Sequence, residues 1–169
     1  LYGCAVTTGF GVINNRAKLK LGENLVVFGA GGIGLNIIQA AKLAGANQII
    51  AVDIYDHRLA LAKFCGATAL INSTNIEPWL AIESLLNGQK LDVFIDNTGK
   101  PEVISKGYDA LSQHGRAILV GVPKKDQFTN LYTLPLHFGK TIIGTHGGET
   151  TPQSDIPRYM NLLSTRNID

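Results

Sequence analysis

Val26-Val27-Phe28-Gly29-Ala30-Gly31-Gly32-Ile33-Gly34 decides the fold. An apolar strand runs into a Gly-x-Gly-x-x-Gly turn, and the turn opens into residues 35–44, where Ile37, Ile38, Ala41 and Ala44 recur at helical spacing. Each glycine has a physical job. Gly29 allows the tight turn, Gly31 lets backbone come close to a diphosphate, and Gly34 lets the helix pack closely on the strand. An anion is favoured at the start of that helix, where N–H groups are unpaired and the helix dipole is positive. Three glycines in six residues also arise in ordinary turns, so the surroundings have to discriminate. They do: a second apolar strand, Gln48-Ile49-Ile50-Ala51-Val52, ends on Asp53, nineteen residues past Gly34. About 20 is the interval to the acid that binds an adenosine ribose in dinucleotide-binding folds.

Outward from this unit, strands and helices alternate. The sequence predicts strands at 25–28, 48–52, 69–71, 92–95, 116–120 and 141–145, and helices at 32–44, 56–64, 77–86 and 102–111. Gly45 and Gly66 suit helix C-terminal stops, and Pro78 and Pro101 suit first turns. Six apolar strands alternating with helices imply an α/β fold of one domain, a doubly wound parallel six-stranded sheet of the Rossmann type in the order 3-2-1-4-5-6. Residues 1–24 read as a lead-in segment with a helix at 7–13, residues 25–150 as the dinucleotide-binding domain, and residues 151–169 as a C-terminal helix starting near Thr151 and running through Leu163. The stretch 123–136 reads as a solvated loop leading to an edge or contact surface.

Composition narrows the function classes. A net charge of +2, 17% charged residues and no Lys/Arg run leave no electrostatic footprint for nucleic acid or an anionic membrane, and no apolar stretch has the length of a membrane span. Two cysteines, Cys4 and Cys65, do not make a disulfide framework, which points to a reducing cytoplasm. The start, Leu1-Tyr2-Gly3-Cys4, has neither a basic region nor Met and is expected to be an internal cut in a longer protein.

Several separated motifs converge on one family. The set Gly3-Cys4-x-x-Thr7-Thr8-Gly9-Phe10-Gly11, Gly29-Ala30-Gly31-Gly32-Ile33-Gly34, Ala51-Val52-Asp53, Phe64-x-Gly66-Ala67-Thr68, Asp96-Asn97-Thr98-Gly99 and Val120-Gly121-Val122-Pro123 resembles the coenzyme-binding domain of the zinc-dependent alcohol dehydrogenases of the medium-chain dehydrogenase/reductase superfamily. The resemblance implies NAD as cofactor and an alcohol or aldehyde as substrate. It implies that Cys4 is one ligand of a catalytic zinc in the full-length parent, whose other ligands lie in a missing N-terminal catalytic domain. By the same resemblance Thr8 lies against the nicotinamide, with Ile33 on the ring's other face. Gly31, Gly32 and Ile33 offer backbone to the diphosphate, and Asp53 and Arg58 hold the adenosine ribose. Asn97, Thr98, Val120, Val122 and Thr145 line the nicotinamide end, and a homodimer forms through the last strands, near residues 131–145. One segment departs from the pattern of the alcohol-oxidising members: Gly144-Thr145-His146-Gly147-Gly148 is shorter and carries a histidine.

Without the resemblance, Cys4 reads as a small buried hydrophobe, Cys65 as core, Trp79 as packing, His146 as a turn residue, and His57, His114 and His137 as surface or loop residues. Two other functions fit the same fold: a zinc-free quinone or enoyl reductase, and a non-catalytic module that senses dinucleotides. Asp53 and Cys4 weigh for the NAD-dependent zinc alcohol dehydrogenase, with this chain inactive alone.

Overall fold

A computed structural model describes residues 2–166. Six parallel strands, β1 (Asn24–Phe28), β2 (Gln48–Asp53), β3 (Ala69–Asn72), β4 (Val93–Asp96), β5 (Arg116–Leu119) and β6 (Thr141–Gly144), form one sheet in the order β3-β2-β1-β4-β5-β6. This is the predicted order. The helices between them are α2 (Gly32–Leu43), α3 (Asp56–Cys65), α4 (Pro78–Leu86) and α5 (Pro101–Ala110), preceded by α1 (Thr7–Gly11) and followed by α6 (Pro152–Arg166).

Strand periodicity distributes the apolar residues to two faces. Leu25 and Val27 of β1, Ile49 and Ala51 of β2, and Val93 and Ile95 of β4 pack with Ile37, Ile38 and Ala41 of α2. Their neighbours Val26, Phe28, Ile50, Val52 and Phe94 pack on the opposite face with Ile82 and Leu86 of α4. Trp79 is packing, as expected: its ring stacks on Phe28 at 4.7 Å and leans on Phe94 at 6.0 Å. Such ring pairs contribute about 1 kcal/mol beyond their burial.

Boundaries differ from the sequence expectation by a residue or so, except at the start. Helical backbone is continuous from Tyr2 to Ala17, with π-helical turns Tyr2–Val6 and Val12–Ala17 on either side of α1. Phe10, Val12, Ile13 and Ala17 are each at most 2% exposed and belong to the first core face, where Phe10 meets Tyr159 of α6 at 5.0 Å. The core therefore does not close between residues 25 and 145; the lead-in segment and α6 complete it. Residues 123–130 are exposed, as expected for a solvated loop, and are held through Ser105 Oγ, which donates to Asn130 O, and Thr129 Oγ1, which donates to Pro101 O. α6 runs past the expected end at Leu163 to Arg166, and residues 167–169 of the C-terminal segment lie outside the described residues.

Candidate functional site

The C-terminal ends of β1 and β4 adjoin at the point where the strand order reverses, and the glycine turn sits there. Gly29 donates its N–H to Val52 O at 2.8 Å and adopts φ +94°, a left-handed conformation that glycine takes without strain. Gly31 is extended and precedes the first residue of α2. A Cβ on Gly34 would lie 2.0 Å from Gly29 O, so α2 approaches the turn as closely as a missing side chain allows. A Cβ on Gly31 would meet nothing within 4 Å. The turn is thus tight on its inner side and open on its outer side, where the first-turn amides of α2 lack partners within the helix. Gly32 faces the lead-in segment, whose Ala5 Cβ lies 4.0 Å from where a Gly32 Cβ would stand. Ile33 is half-buried and packs against the first core face.

Asp53 closes β2 beside this turn, its side chain 3% exposed. Oδ2 accepts the Ala30 N–H at 2.7 Å, and Oδ1 accepts those of Ile54 at 2.8 Å and Tyr55 at 3.1 Å. Arg58 Nη1 stands 3.7 Å from Oδ2, and the guanidinium rests over the Tyr55 ring at 4.8 Å. The carboxylate is locked to the glycine turn and to the start of α3 at once, so two loops distant in sequence share one anchor.

A second buried carboxylate organises the far wall. Asp96, 0% exposed, accepts Thr98 N–H at 2.9 Å, Thr98 Oγ1–H at 2.6 Å and Gly99 N–H at 2.9 Å. Its own carbonyl takes the N–H of Val120 at 2.8 Å and of Gly121 at 2.9 Å. The sequence reading named Asn97 and Thr98 and missed Asp96, although Asp two residues before a hydroxyl in a turn is the signal of such a bond. Asn97 Nδ2 donates to Gly29 O at 3.3 Å, joining the β4 turn to the glycine turn. Asn97 Oδ1 and Thr145 Oγ1 are buried with no hydrogen-bond partner among the described residues. Buried polar atoms left bare just past the C-terminal ends of β4 and β6 fit a ligand that has an amide to offer. Val120 is half-buried against the first core face, whereas Val122 is 88% exposed, its carbonyl lying over Gly99.

Thr8 is 5% exposed in α1, which packs on α2 so closely that a Cβ on Gly9 would lie 2.5 Å from Asn36 Cβ. Cys4 is an exposed free thiol and not the small buried hydrophobe that its residue type suggests. A catalytic zinc needs three protein ligands, and among the described residues no group of three or more His, Cys, Asp or Glu comes together. The described residues do not by themselves fit the metal. Cys65 is half-buried and packs against the first core face; burial pushes its thiol pKa up, against the opposing pull of Gln39 and Lys42. His146 precedes a short 3-10 turn and offers its carbonyl to Glu149 N–H at 3.2 Å, a turn residue as expected; His57, His114 and His137 are exposed. Among the described residues no helix is long and apolar enough to cross a membrane.

A doubly wound parallel sheet with a glycine turn at its switch point, and a carboxylate on the neighbouring strand, defines the class of dinucleotide-binding domains. Within that class the pattern of one family, described as zinc-binding dehydrogenase, matches residues 32–165, and the chain belongs to it. It is 33% identical to an S-(hydroxymethyl)glutathione dehydrogenase of Paracoccus denitrificans, over 99% of this chain and 46% of the relative. It is 34% identical to an alcohol dehydrogenase of Malus domestica, over 95% of this chain and 44% of the relative. Among solved structures, a benzyl alcohol dehydrogenase of Acinetobacter calcoaceticus superposes with TM-score 0.91 at 37% identity, covering 98% of this chain and 46% of that one. The chain spans just under half the length of the relatives it matches.

Proposed function

We propose that this chain is the coenzyme-binding part of an NAD-dependent zinc alcohol dehydrogenase of the cytoplasm, acting on an alcohol or aldehyde. The observation that carries the reading is the Asp53 carboxylate, pinned through Ala30 N–H to the glycine turn and set beside the open amides of α2. NAD, when bound, supplies a nicotinamide ring that accepts hydride. The chain binds and orients it. Amides of Gly31, Gly32 and Ile33, helped by Gly29 and Gly34 that shape the turn, hold the diphosphate at the start of α2. The acceptor position left on Asp53 takes a ribose hydroxyl, with Arg58 beside it. Asn97 Oδ1 and Thr145 Oγ1 take hydrogen bonds at the nicotinamide end, bounded by Thr98, Val120, Val122 and Thr8. Cys4 would contribute one thiolate to a zinc whose other ligands would come from the rest of the full-length enzyme, where the metal would act as a Lewis acid on the alcohol oxygen. Two free cysteines support the cytoplasmic setting. A homodimer forms through the outer edge of β6, where Ile143, Leu134 and Phe138 are 40%, 51% and 58% exposed; sedimentation of the chain as a monomer at high concentration would remove that part.

Calorimetric titration with both cofactors tests the reading. NAD is expected to bind more tightly than NADP, because a 2′-phosphate at ion-pair range of Asp53 costs about 4 kcal/mol at an effective dielectric near 20. Asp53→Ser should narrow that gap; equal or tighter NADP binding in the parent chain overturns the assignment. With NAD and a panel of primary, secondary and sugar alcohols the chain should form no NADH, and robust formation would place the whole reaction within these residues.

A further inference from the structure

The Asp53 carboxylate is nearly saturated by its own backbone. It accepts three N–H bonds, from Ala30, Ile54 and Tyr55, and a carboxylate offers about four acceptor positions. Arg58 Nη1 stands 3.7 Å from Oδ2, the oxygen that accepts the single bond from Ala30. What Arg58 does therefore decides much of what the ribose meets. Its side chain is 44% exposed, and among the described residues its guanidinium is placed by Asp53 and by the face of Tyr55 at 4.8 Å. Tyr55 itself is 47% exposed and belongs to neither core face, and its other ring neighbour is His57, with centroids 5.5 Å apart. A large aromatic residue left half in water, one face under a guanidinium, is serving that guanidinium more than the core.

We infer that Tyr55 is a specificity-determining residue, whose ring holds the Arg58 guanidinium against Asp53 and so withholds it from the 2′-phosphate that distinguishes NADP from NAD. An arginine freed from the ring has the planar fork and the reach to grip a phosphate with two parallel hydrogen bonds. Held over Tyr55 beside Asp53, it is not offered to a phosphate, and the carboxylate is left to favour an uncharged diol. The inference rests on the coenzyme reading above and names the residue that sets its choice of cofactor.

The test compares NAD with NADP, and AMP with adenosine 2′,5′-bisphosphate to isolate the adenosine end, by calorimetry on the chain and its variants. In Tyr55→Ala the preference for NAD over NADP should narrow about two- to fivefold, the range that an exposed cation–π contact supports. Tyr55→Phe, which keeps the ring, should hold the original ratio. Adding Arg58→Ala to Tyr55→Ala should cancel the gain for the 2′-phosphate. An unchanged ratio in Tyr55→Ala overturns the inference, as does equal weakening of both cofactors or a gain that survives loss of Arg58. If Tyr55→Ala does not fold, Tyr55→Leu carries the same comparison. Wild-type chain that binds neither NAD nor AMP defeats the coenzyme reading itself, whereas tight NAD binding with an unmoved ratio defeats only the role of Tyr55.

Discussion

The two ends of the sheet use the same kinds of polar residue and finish in opposite states. At the N-terminal end, Arg116 donates to Ala17 O and Lys18 O and pairs with Glu23 through both nitrogens of its fork, at 2.5 and 3.0 Å. Asn24 is equally engaged: its amide donates to Gln89 Oε1 and Lys90 O, its side-chain oxygen accepts from Asn47, and its N–H reaches Asp92. At the C-terminal end, Asp53 and Asp96 are just as well bonded, but Asn97 Oδ1 and Thr145 Oγ1 stay bare, and the outer side of the glycine turn is open. A buried polar atom without a partner costs about 1–3 kcal/mol. Arg116 and Asn24 are closed into networks at one end, and the other end carries bare Asn97 Oδ1 and Thr145 Oγ1 together with the open glycine turn; since Arg16 Nε and Tyr108 Oη are bare as well, it is the open turn that makes the second end the one suited to a ligand.

The largest test of this contrast is Gly34→Ala. The new Cβ would press on the backbone oxygen of Gly29, which cannot swing away as a side chain would, so unfolding free energy should fall by about 3 kcal/mol and NAD affinity with it. Urea unfolding with a parallel cofactor titration reads both; a variant as stable as the parent chain would mean that the turn is looser than described. Arg116→Ala should cost about 2 kcal/mol of stability by stripping partners from Glu23 and two carbonyls, yet leave NAD affinity unchanged. A matching loss of affinity there would erase the distinction between the ends. Thr145→Val should have the opposite sign: removing a buried hydroxyl that has no partner adds up to about 1 kcal/mol of stability while weakening NAD and leaving AMP untouched. Loss of stability without loss of NAD affinity would show that Thr145 has a structural partner.

The smallest effect is a pH dependence at the N-terminal end. Burial works to raise the Glu23 pKa, but hydrogen bonds from Arg116 and the Lys20 amide, with the Arg116 charge, outweigh it and hold the carboxyl below its ordinary 4.5. A depressed folded-state pKa gives stability that is complete above the ordinary value and is lost as pH falls through the folded value. Glu23→Gln should therefore be less stable than the parent at neutral pH, with the difference shrinking below pH 4.5. A difference that stays constant down to acid would show that the pair contributes through shape and not charge.

How much of this was legible beforehand follows from the range of each interaction. Strand order, glycine turn and Asp53 are encoded in local runs: apolar alternation, Gly at fixed offsets and an acid at the end of a strand. The burial of residues 7–13 and of Ala17 was not legible, because a stretch of mixed Gly, Thr, Val and Asn has no period that says what it packs on; α2 and α6 decide that. The exposure of Cys4 departs from what its residue type alone suggests, for the same reason.

By itself, then, the sequence determined a parallel doubly wound sheet with an anion-ready turn, because those features depend on neighbours a few residues apart. The tertiary structure alone decided that Asp53 is shared by two loops, that Asp96 holds the β4 and β5 turns, and that Arg58 lies on Tyr55. It also decided which buried polar atoms stay bare. Each of these is a matter of direction and distance between atoms brought together by chain closure. Residue type and spacing constrain which groups are available, while hydrogen bonds need a geometry that exists only after the sheet has formed.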